Sequence, residues 1–202
     1  MENPVLSRRD VEEFTPPGSP RTYKIAPLTV RERMAARAEV VAEGGTYPSQ
    51  ADLYEAMRQV LREAETEGLD DLLATLDAAE AMPADETGAE ADELRQKVRR
   101  IETACQAAPA YTALLARRAR HMGAIPFVYF RRAVRGWEGP DLPAFARKAG
   151  VVSDEAMEGV PEDEITLVGW RAFAMTRPSK DAEKNSEEPS VYSGTQTSGT
   201  EG

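Results

Sequence analysis

The sequence predicts a mainly α-helical fold, a compact bundle of about six to eight helices with at most a short two-stranded β element. Three observations favour this fold class. Apolar residues recur at helical spacing in several stretches, capping residues precede those stretches, and glycine or proline follows them. With 41% apolar and 30% charged residues, the composition is that of a chain that folds around a buried core.

The two ends of the chain differ from its middle. Residues 1–21 contain four prolines, so we expect an extended, disordered N-terminal arm. Residues 22–178 carry the helical periodicity and form the predicted helical domain, with a subdivision near 83–93 left open. Residues 179–202 are rich in Ser, Thr, Gly and Glu, a composition that cannot offset the entropy of ordering, and they are predicted to be a disordered tail.

Two short stretches are candidates for the β element. Residues 22–28, TYKIAPL, alternate polar and apolar side chains before they meet a proline. The second stretch lies near 134–138, in a turn-rich segment that contains a tryptophan. We expect any pairing to join these two pieces.

Two of the predicted helices begin with capping-box spacing, in which a reciprocal pair of hydrogen bonds satisfies the first turn. Thr29 with Glu32 predicts a helix that ends at two consecutive glycines, and Ser49 with Asp52 predicts the next one. The first helix has one apolar face, which consists of Val30, Met34, Ala38 and Val41.

Helical periodicity continues through the middle of the chain. Four leucines share one face within 69–82, and apolar residues within 94–105 follow the spacing of a buried helix face. Pro109 is placed to open a further helix. Pro126 predicts a break or a kink in that helix before the apolar pattern resumes.

The last part of the domain contains shorter elements. The sequence predicts a short helix near 142–149 that ends at Gly150, and Ser153 is placed to cap another. A final helix begins at Pro161, where three acidic residues suit the positive end of the helix dipole. Pro178 is expected to end it.

Composition excludes several classes of protein. The net charge of −10 argues against a general nucleic-acid binder, which is normally basic. No apolar run approaches the ~18 residues of a membrane span. The N-terminus lacks the apolar region of a secretory signal, and the single cysteine excludes an internal disulfide. We therefore expect a cytoplasmic protein.

Charge is segregated along the chain. Between Glu63 and Glu93 there are twelve acidic residues and no Lys or Arg, whereas Arg95 to Arg135 contains ten basic residues and one acid. Two interpretations stay open. The two blocks form faces for charged partners, or else they pack near each other or are simply solvated helix faces.

No constellation of residues indicates catalysis. His121 is the one histidine and has no serine or second histidine nearby in sequence, so a triad or histidine-based metal site is not indicated. Cys105 lies on an apolar face and reads as a core residue. The glycines form no phosphate-binding loop. The sequence predicts a protein that is not an enzyme, that holds no cofactor or metal, and that presents surfaces to partners.

Three stretches carry a family resemblance. The first is YKIAPLTVRERMAARAEVVAEGG with the following YPSQADLYEAMRQVLRE; the second is RGWEG with FARKAGVVSDEAMEGVPEDEITLVGWRAFA downstream; the third is EKNSEEPS near the end. In these stretches the chain resembles the tail assembly chaperones of long-tailed bacteriophages and of related prophage or gene-transfer-agent clusters.

The resemblance implies a small, largely helical protein that coats the tape-measure protein, keeps it soluble and helps to recruit tail tube subunits. It also implies, for some members, a longer product made by a frameshift near the end of the short form. Apolar grooves and adaptable methionines would suit such a holding role. The candidate partner-binding residues are Met34, Met57, Arg117, Arg118, Arg131, Arg132 and Trp137.

Two other functions stay open at this point. A structural virion component, such as a head–tail adaptor or completion protein, would use the extended arm and the tail to lace into neighbouring subunits. A nucleic-acid-binding regulator would use the basic segment 95–135 to contact phosphates.

Overall fold

The computed structural model describes residues 11–176 of the 202-residue chain. Within this range the mainly α-helical prediction is confirmed, with seven helices and five short strands. In chain order the elements are β1 (Glu12–Phe14), β2 (Thr22–Ile25), α1 (Val30–Gly44), α2 (Gln50–Glu63), α3 (Leu69–Ala81), α4 (Ala89–Cys105), α5 (Pro109–Ala133), β3 (Val134–Glu138), β4 (Arg147–Lys148), β5 (Val151–Val152), α6 (Asp154–Met157) and α7 (Glu162–Met175).

The β structure is larger than the predicted two-stranded element. The predicted pairing of 22–28 with 134–138 is confirmed, because β2 pairs with β3 in antiparallel orientation. β1 adds a third antiparallel strand on the other edge of β2, and β4 and β5 form a separate hairpin. Tyr23 in the central strand lies opposite both Phe14 and Trp137.

The N-terminal arm was expected to be extended and disordered, and its described part is extended but packed on the fold. Residues 12–14 pair with β2, and the side chain of Pro16 is fully buried. The backbone pairing and the burial explain why this proline-rich stretch has a defined place. Residues 1–10 and the predicted tail at 179–202 lie outside the described residues, as does Pro178, the expected end of the last helix.

The larger of two hydrophobic clusters lies between the three-stranded sheet and the helices α1, α5, α6 and α7, and we call it the sheet core. Its centre is aromatic: the ring of Tyr23 meets the rings of Phe130 and Trp137 edge-on, with centroid distances of 5.8 and 6.3 Å. Such edge-to-face pairs stabilise a core beyond their buried area. Its largest buried side chains also include Ile25, Val128, Val134, Val152 and Val168.

The second cluster, which we call the helical core, is formed by α2, α3, α4 and the first half of α5. It is mainly aliphatic, and its buried members are Leu53, Met57, Leu61, Leu76, Ile101, Cys105 and Tyr111. Residues 83–93 cover the connection from α3 to α4 and the first turn of α4, and both helices pack in this same cluster. The separation between the two clusters therefore falls at the α1–α2 connection and within α5.

Helix α5 belongs to both clusters and spans about 37 Å at 1.5 Å per residue. Tyr111 in its first half is buried in the helical core, and Phe130 in its second half is buried in the sheet core. Of the break or kink predicted at Pro126, the break does not occur, because the helix continues from Pro109 to Ala133 with this proline in its interior. Pro126 is buried, and α7 packs closely against it at Gly169.

Two glycines allow close approach of helices to α5. A Cβ atom on Gly169 of α7 would lie 2.0 Å from the carbonyl oxygen of Pro126, and one on Gly44 of α1 would lie 2.6 Å from the Cα atom of His121. Real side chains do not tolerate these distances. Glycine at these two positions is therefore what sets the spacing of α1 and α7 from α5.

Both predicted capping boxes are confirmed. At α1, the backbone N–H of Thr29 donates to Glu32 Oε2 at 2.8 Å, and the N–H of Glu32 donates to Thr29 Oγ1 at 3.2 Å. Ser49 and Asp52 make the same reciprocal pair at the start of α2. Ser153 also caps α6, as its spacing predicts.

The helix predicted near 142–149 is wrong. This segment is irregular and ends in the hairpin β4–β5, whose two-residue turn has both φ angles positive, 53° at Ala149 and 85° at Gly150. Such turns match the twist of a hairpin. The carbonyl of Pro143 accepts a hydrogen bond from Trp137 Nε1 at 2.8 Å, which fixes the segment in a non-helical course over the sheet core.

Candidate functional site

The apolar face of α1 points to solvent. Val30, Met34 and Val41 are 53%, 67% and 49% exposed, although their spacing places them on one side of the helix. The side of α1 that packs on the sheet core carries smaller residues, Ala36 and Gly44, together with Val40. The three large side chains form an uncovered surface that we call the α1 stripe.

A groove of about 350 Å³ runs beside the α1 stripe. Its residues come from three helices: Arg33, Arg37, Val40 and Val41 from α1; His121, Ile125 and Tyr129 from α5; Phe173 and Thr176 from α7 and its end. Val41 belongs to both the stripe and the groove. The two features are therefore one continuous surface along α1.

The groove combines apolar walls with cationic groups. Arg37 is exposed, and within residues 11–176 it has no ion-pair partner. His121 Nδ1 lies 2.6 Å from the carbonyl oxygen of Gly45, and its ring packs edge-on against Tyr47 at 5.3 Å. These contacts hold the imidazole at the groove. An occupant that is apolar on one side and acidic at its edge would fit this surface.

Two of the predicted partner-binding residues are buried, so those predictions are corrected. Met57 is 1% exposed and fills the helical core. Trp137 is buried between Phe145 and the sheet, with its indole N–H already donated to Pro143. Neither side chain is accessible to a partner in this fold. Met34, in contrast, is the most exposed member of the α1 stripe.

Arg131 and Arg132 also form ion pairs within the chain. Arg132 pairs with Glu39 of α1 at 2.5 Å, and Arg131 lies 3.5 Å from Glu39 and 3.0 Å from Asp154. Both arginines are about four-fifths buried. These pairs hold α1 and α6 against α5, which is a structural role rather than the predicted partner contact.

The other two predicted arginines lie near the start of α2. Arg118 donates to Tyr47 Oη at 2.5 Å and to Gln50 Oε1 at 3.2 Å, and its guanidinium stacks over the Tyr47 ring. Arg117 is exposed and lines a shallow depression that also contains Asp52. The four predicted arginines therefore lie at separate places in the structure.

A buried carboxylate is the polar feature that the sequence did not reveal. Glu164, in the first turn of α7, is 5% exposed and accepts hydrogen bonds from Ser19 Oγ at 2.7 Å, Arg21 Nη1 at 2.9 Å and Tyr23 Oη at 2.5 Å. Its position four residues before Val168, on the inner face of α7, is the signal that could have identified it. We call this group of four residues the Glu164 clasp.

The ionisation of the clasp follows from its contacts. Burial alone would raise the pKa of Glu164, but the hydrogen bonds from Tyr23, Ser19 and Arg21 outweigh it and leave the pKa below its ordinary value. Burial, followed by the contact with Glu164, raises the pKa of Tyr23. Tyr23 thus stays a neutral donor and Glu164 a charged acceptor, which suits a structural link between the N-terminal arm and α7.

The two charge blocks are in contact where α3 packs against α4 in the helical core. Acids of the first block pair with Arg58 of α2, which lies 2.8 Å from Asp77 and 2.5 Å from Glu80. Lys97 pairs with Glu93 one turn away in α4. Together with the pairs at Arg131 and Arg132, these contacts favour the interpretation of ordinary helix faces.

The surroundings of the remaining candidate groups indicate structural roles. Cys105 is fully buried, and burial followed by the charge of Glu102 raises the pKa of its thiol. Among residues 11–176, no three His, Cys, Asp or Glu side chains are placed so as to hold a metal ion. In the same part of the chain, no helix is both long enough and apolar enough to cross a membrane.

Comparison with known proteins gives no match from a family model, a curated protein or a solved structure. The function is therefore inferred from the α1 stripe, the adjoining groove and the sequence resemblance.

Proposed function

We propose that this protein is a phage tail assembly chaperone that binds the tape-measure protein, keeps it soluble and helps to recruit tail tube subunits. The observation that carries the proposal is the uncovered α1 stripe with the groove beside it. A folded chain normally turns the apolar face of a surface helix inward. α1 buries Ala36 and Val40 but leaves Val30, Met34 and Val41 exposed, so an apolar surface is available to a partner.

The shape of this surface suits an amphipathic helix. From Val30 to Val41 the stripe extends about 17 Å along α1, or roughly three helical turns. A helix laid in such a groove contacts it through residues spaced three and four apart. Met34 is unbranched and adaptable, so it accommodates different side chains along a long, repetitive partner.

The overall charge supports the same role. A net charge of −10 gives the complex of chaperone and apolar partner mutual repulsion, which keeps it soluble. The resemblance to tail assembly chaperones in the stretches around α1, α2 and α7 supports the identity of the partner. The activity is non-enzymatic, since the work is done by covering an apolar surface.

Neither alternative function has a specific observation in its favour. A head–tail adaptor would free its N-terminal arm for neighbours, whereas residues 12–14 pair with β2 and Ser19 and Arg21 bind Glu164. A nucleic-acid binder would present its basic segment, whereas Arg131 and Arg132 pair with Glu39.

Co-expression with the long helical tape-measure protein encoded in the same cluster tests the proposal. The wild-type chain is expected to bring that protein into the soluble fraction and to co-elute with it in gel filtration. The double substitution Met34→Glu/Val41→Glu places two charges on the stripe and is expected to reduce binding at least tenfold, because charged groups at a docking surface lose solvation.

Leu167→Glu supplies the matched control. Leu167 is 43% exposed on α7, so the change is of the same kind but lies away from the stripe and the groove. Binding should be unchanged in this variant. Equal binding by all three proteins, or no soluble complex with the wild type, would contradict the proposal.

A further inference from the structure

We propose that residues 183–192 of this chain, EKNSEEPSVY, dock in the groove between α1, α5 and α7 when no partner occupies it. The first argument is where the chain goes after α7. Thr176, the last described residue, itself lines the groove, and 26 further residues follow it. The chain that leads to the segment therefore leaves α7 at the surface on which the segment is proposed to dock.

The second argument is the match of chemistry. The segment contains Glu187 and Glu188, followed three residues later by Val191 and Tyr192, which are the only large apolar residues in 179–202. The groove offers complementary groups, because Arg33 and Arg37 line it together with apolar residues such as Ile125. Arg33 and Arg37 are one helical turn apart and thus lie on the same side of α1.

The third argument is reach. Fifteen residues separate Thr176 from Val191, and a flexible chain of that length spans roughly 20 Å between its ends. A segment tethered so closely has an effective concentration on the order of millimolar at the groove. Docking is thus populated even when each contact is weak, as exposed ion pairs are.

When no partner is bound, the docked segment occupies the groove. The segment cannot build a core of its own, so its order comes from the folded domain. If the groove is also where a tape-measure helix binds, which rests on the proposed function, the partner must displace the segment. The segment then shields the apolar groove until the partner arrives, and its release is the first step of binding.

Paramagnetic relaxation in the full-length chain, with no partner present, tests docking directly. A spin label at Ser193→Cys reacts alone, because Cys105 is fully buried. We expect the amide signals of Val41 and Ile125 to be broadened by the label. In Arg33→Glu/Arg37→Glu the broadening should fall several-fold, while Arg99→Glu/Arg100→Glu, an equal change of charge at exposed positions on α4, should leave it unchanged.

Two further variants separate docking from tethering and from misfolding. Glu187→Arg/Glu188→Arg in the Arg33→Glu/Arg37→Glu chain restores complementarity and should restore the broadening. Val191→Ser/Tyr192→Ser changes only the segment, leaves the described fold intact and should weaken the broadening as the groove variant does. Equal broadening in all these proteins would overturn the proposal, because it would reflect tethering alone.

The outcome is independent of the chaperone proposal. If the segment docks and Met34→Glu/Val41→Glu still binds the tape-measure protein, docking stands and the proposed function fails. If binding is lost in that variant and the segment does not dock, the proposed function stands and the docking proposal fails. When both are right, Val191→Ser/Tyr192→Ser should bind the partner a few-fold more tightly than the wild type, since the competitor is weakened.

Discussion

The sheet core and the helical core share one long helix but are held together in different ways. Around the sheet core, backbones touch at Gly44 and Gly169, a buried carboxylate at Glu164 links two parts of the chain, and aromatic rings meet edge-on. Around the helical core, aliphatic side chains fill the interior and the ion pairs lie at the surface.

This difference predicts how each region responds to change. Contacts that depend on one position, such as a glycine under a carbonyl, tolerate almost no substitution. Aliphatic packing tolerates exchange between side chains of similar volume. The sheet core also supports the groove and the α1 stripe, so the rigid region is the one that positions the candidate binding surface.

The sharpest test of the contrast is Gly169→Ala. The new methyl group would meet the Pro126 carbonyl, so α7 must move away from α5, and we expect a loss of about 3 kcal/mol or more in the free energy of unfolding. Gly123→Ala is the matched control within α5, where a Cβ has open space. Since alanine favours the helix, the control should gain about 0.5–1 kcal/mol in urea unfolding. A small change in unfolding free energy at both positions would contradict the inference that the sheet core is rigid.

The Glu164 clasp should give the next largest effect. In Glu164→Gln the donors of Ser19, Arg21 and Tyr23 lose their charged acceptor inside the protein, and we expect a loss of about 3 kcal/mol. Tyr111→Phe is the counterpart in the helical core. It removes a single hydrogen bond of 3.1 Å to Glu102 and should cost about 1 kcal/mol in the same measurement. Equal losses would contradict the contrast.

The same clasp predicts a dependence on pH. The pKa of Glu164 is lower in the folded than in the unfolded chain, so its contribution is complete above the ordinary value of 4.5. It is lost as the pH falls through the folded pKa. The difference in unfolding free energy between wild type and Glu164→Gln should therefore be largest at neutral pH and shrink on acidification. A constant difference from neutral pH down to about pH 3 would contradict this assignment.

A core exchange and a surface pair should give the smallest effects. Met57→Leu conserves volume in the helical core, so we expect a loss below about 1.5 kcal/mol. Asp77→Asn removes one exposed partner of Arg58 and should cost less than about 1 kcal/mol, with the difference disappearing at high salt. Thermal unfolding at two salt concentrations checks both. A larger loss of unfolding free energy for Met57→Leu would show that the helical core tolerates substitution as poorly as the sheet core does.

The elements that depend on local chemistry could be predicted from the sequence. Thr29 with Glu32 and Ser49 with Asp52 each satisfy a helix start through residues three apart, so no distant contact is needed. The β2–β3 pairing was also predictable. The helix expected near 142–149 was not formed because the carbonyl of Pro143 and the tryptophan of β3 fix a different course.

The candidate site depends on distant packing and was only partly predictable. Periodicity placed Val30, Met34 and Val41 on one face, but the side of α1 that packs inward was decided by how closely Gly44 approaches α5. Met34 is exposed, as a partner-binding residue must be, whereas Met57 has the same chemistry and lies in a core. The burial of Glu164 was not predicted, because this residue follows two other acids at the start of a helix.

Because the chain is synthesised from its N-terminus, the residues of the two cores become available at different times. The helical core uses residues 53–115, a contiguous stretch, whereas the buried residues of the sheet core come from 23–40 and 125–172. About eighty residues separate the end of α1 from Ile125, which at 5–20 residues per second takes roughly 4 to 16 seconds. For that interval α5, the helix on which α1 packs, has not been synthesised, so a nascent chain exposes the inward face of α1 as well as the outward one.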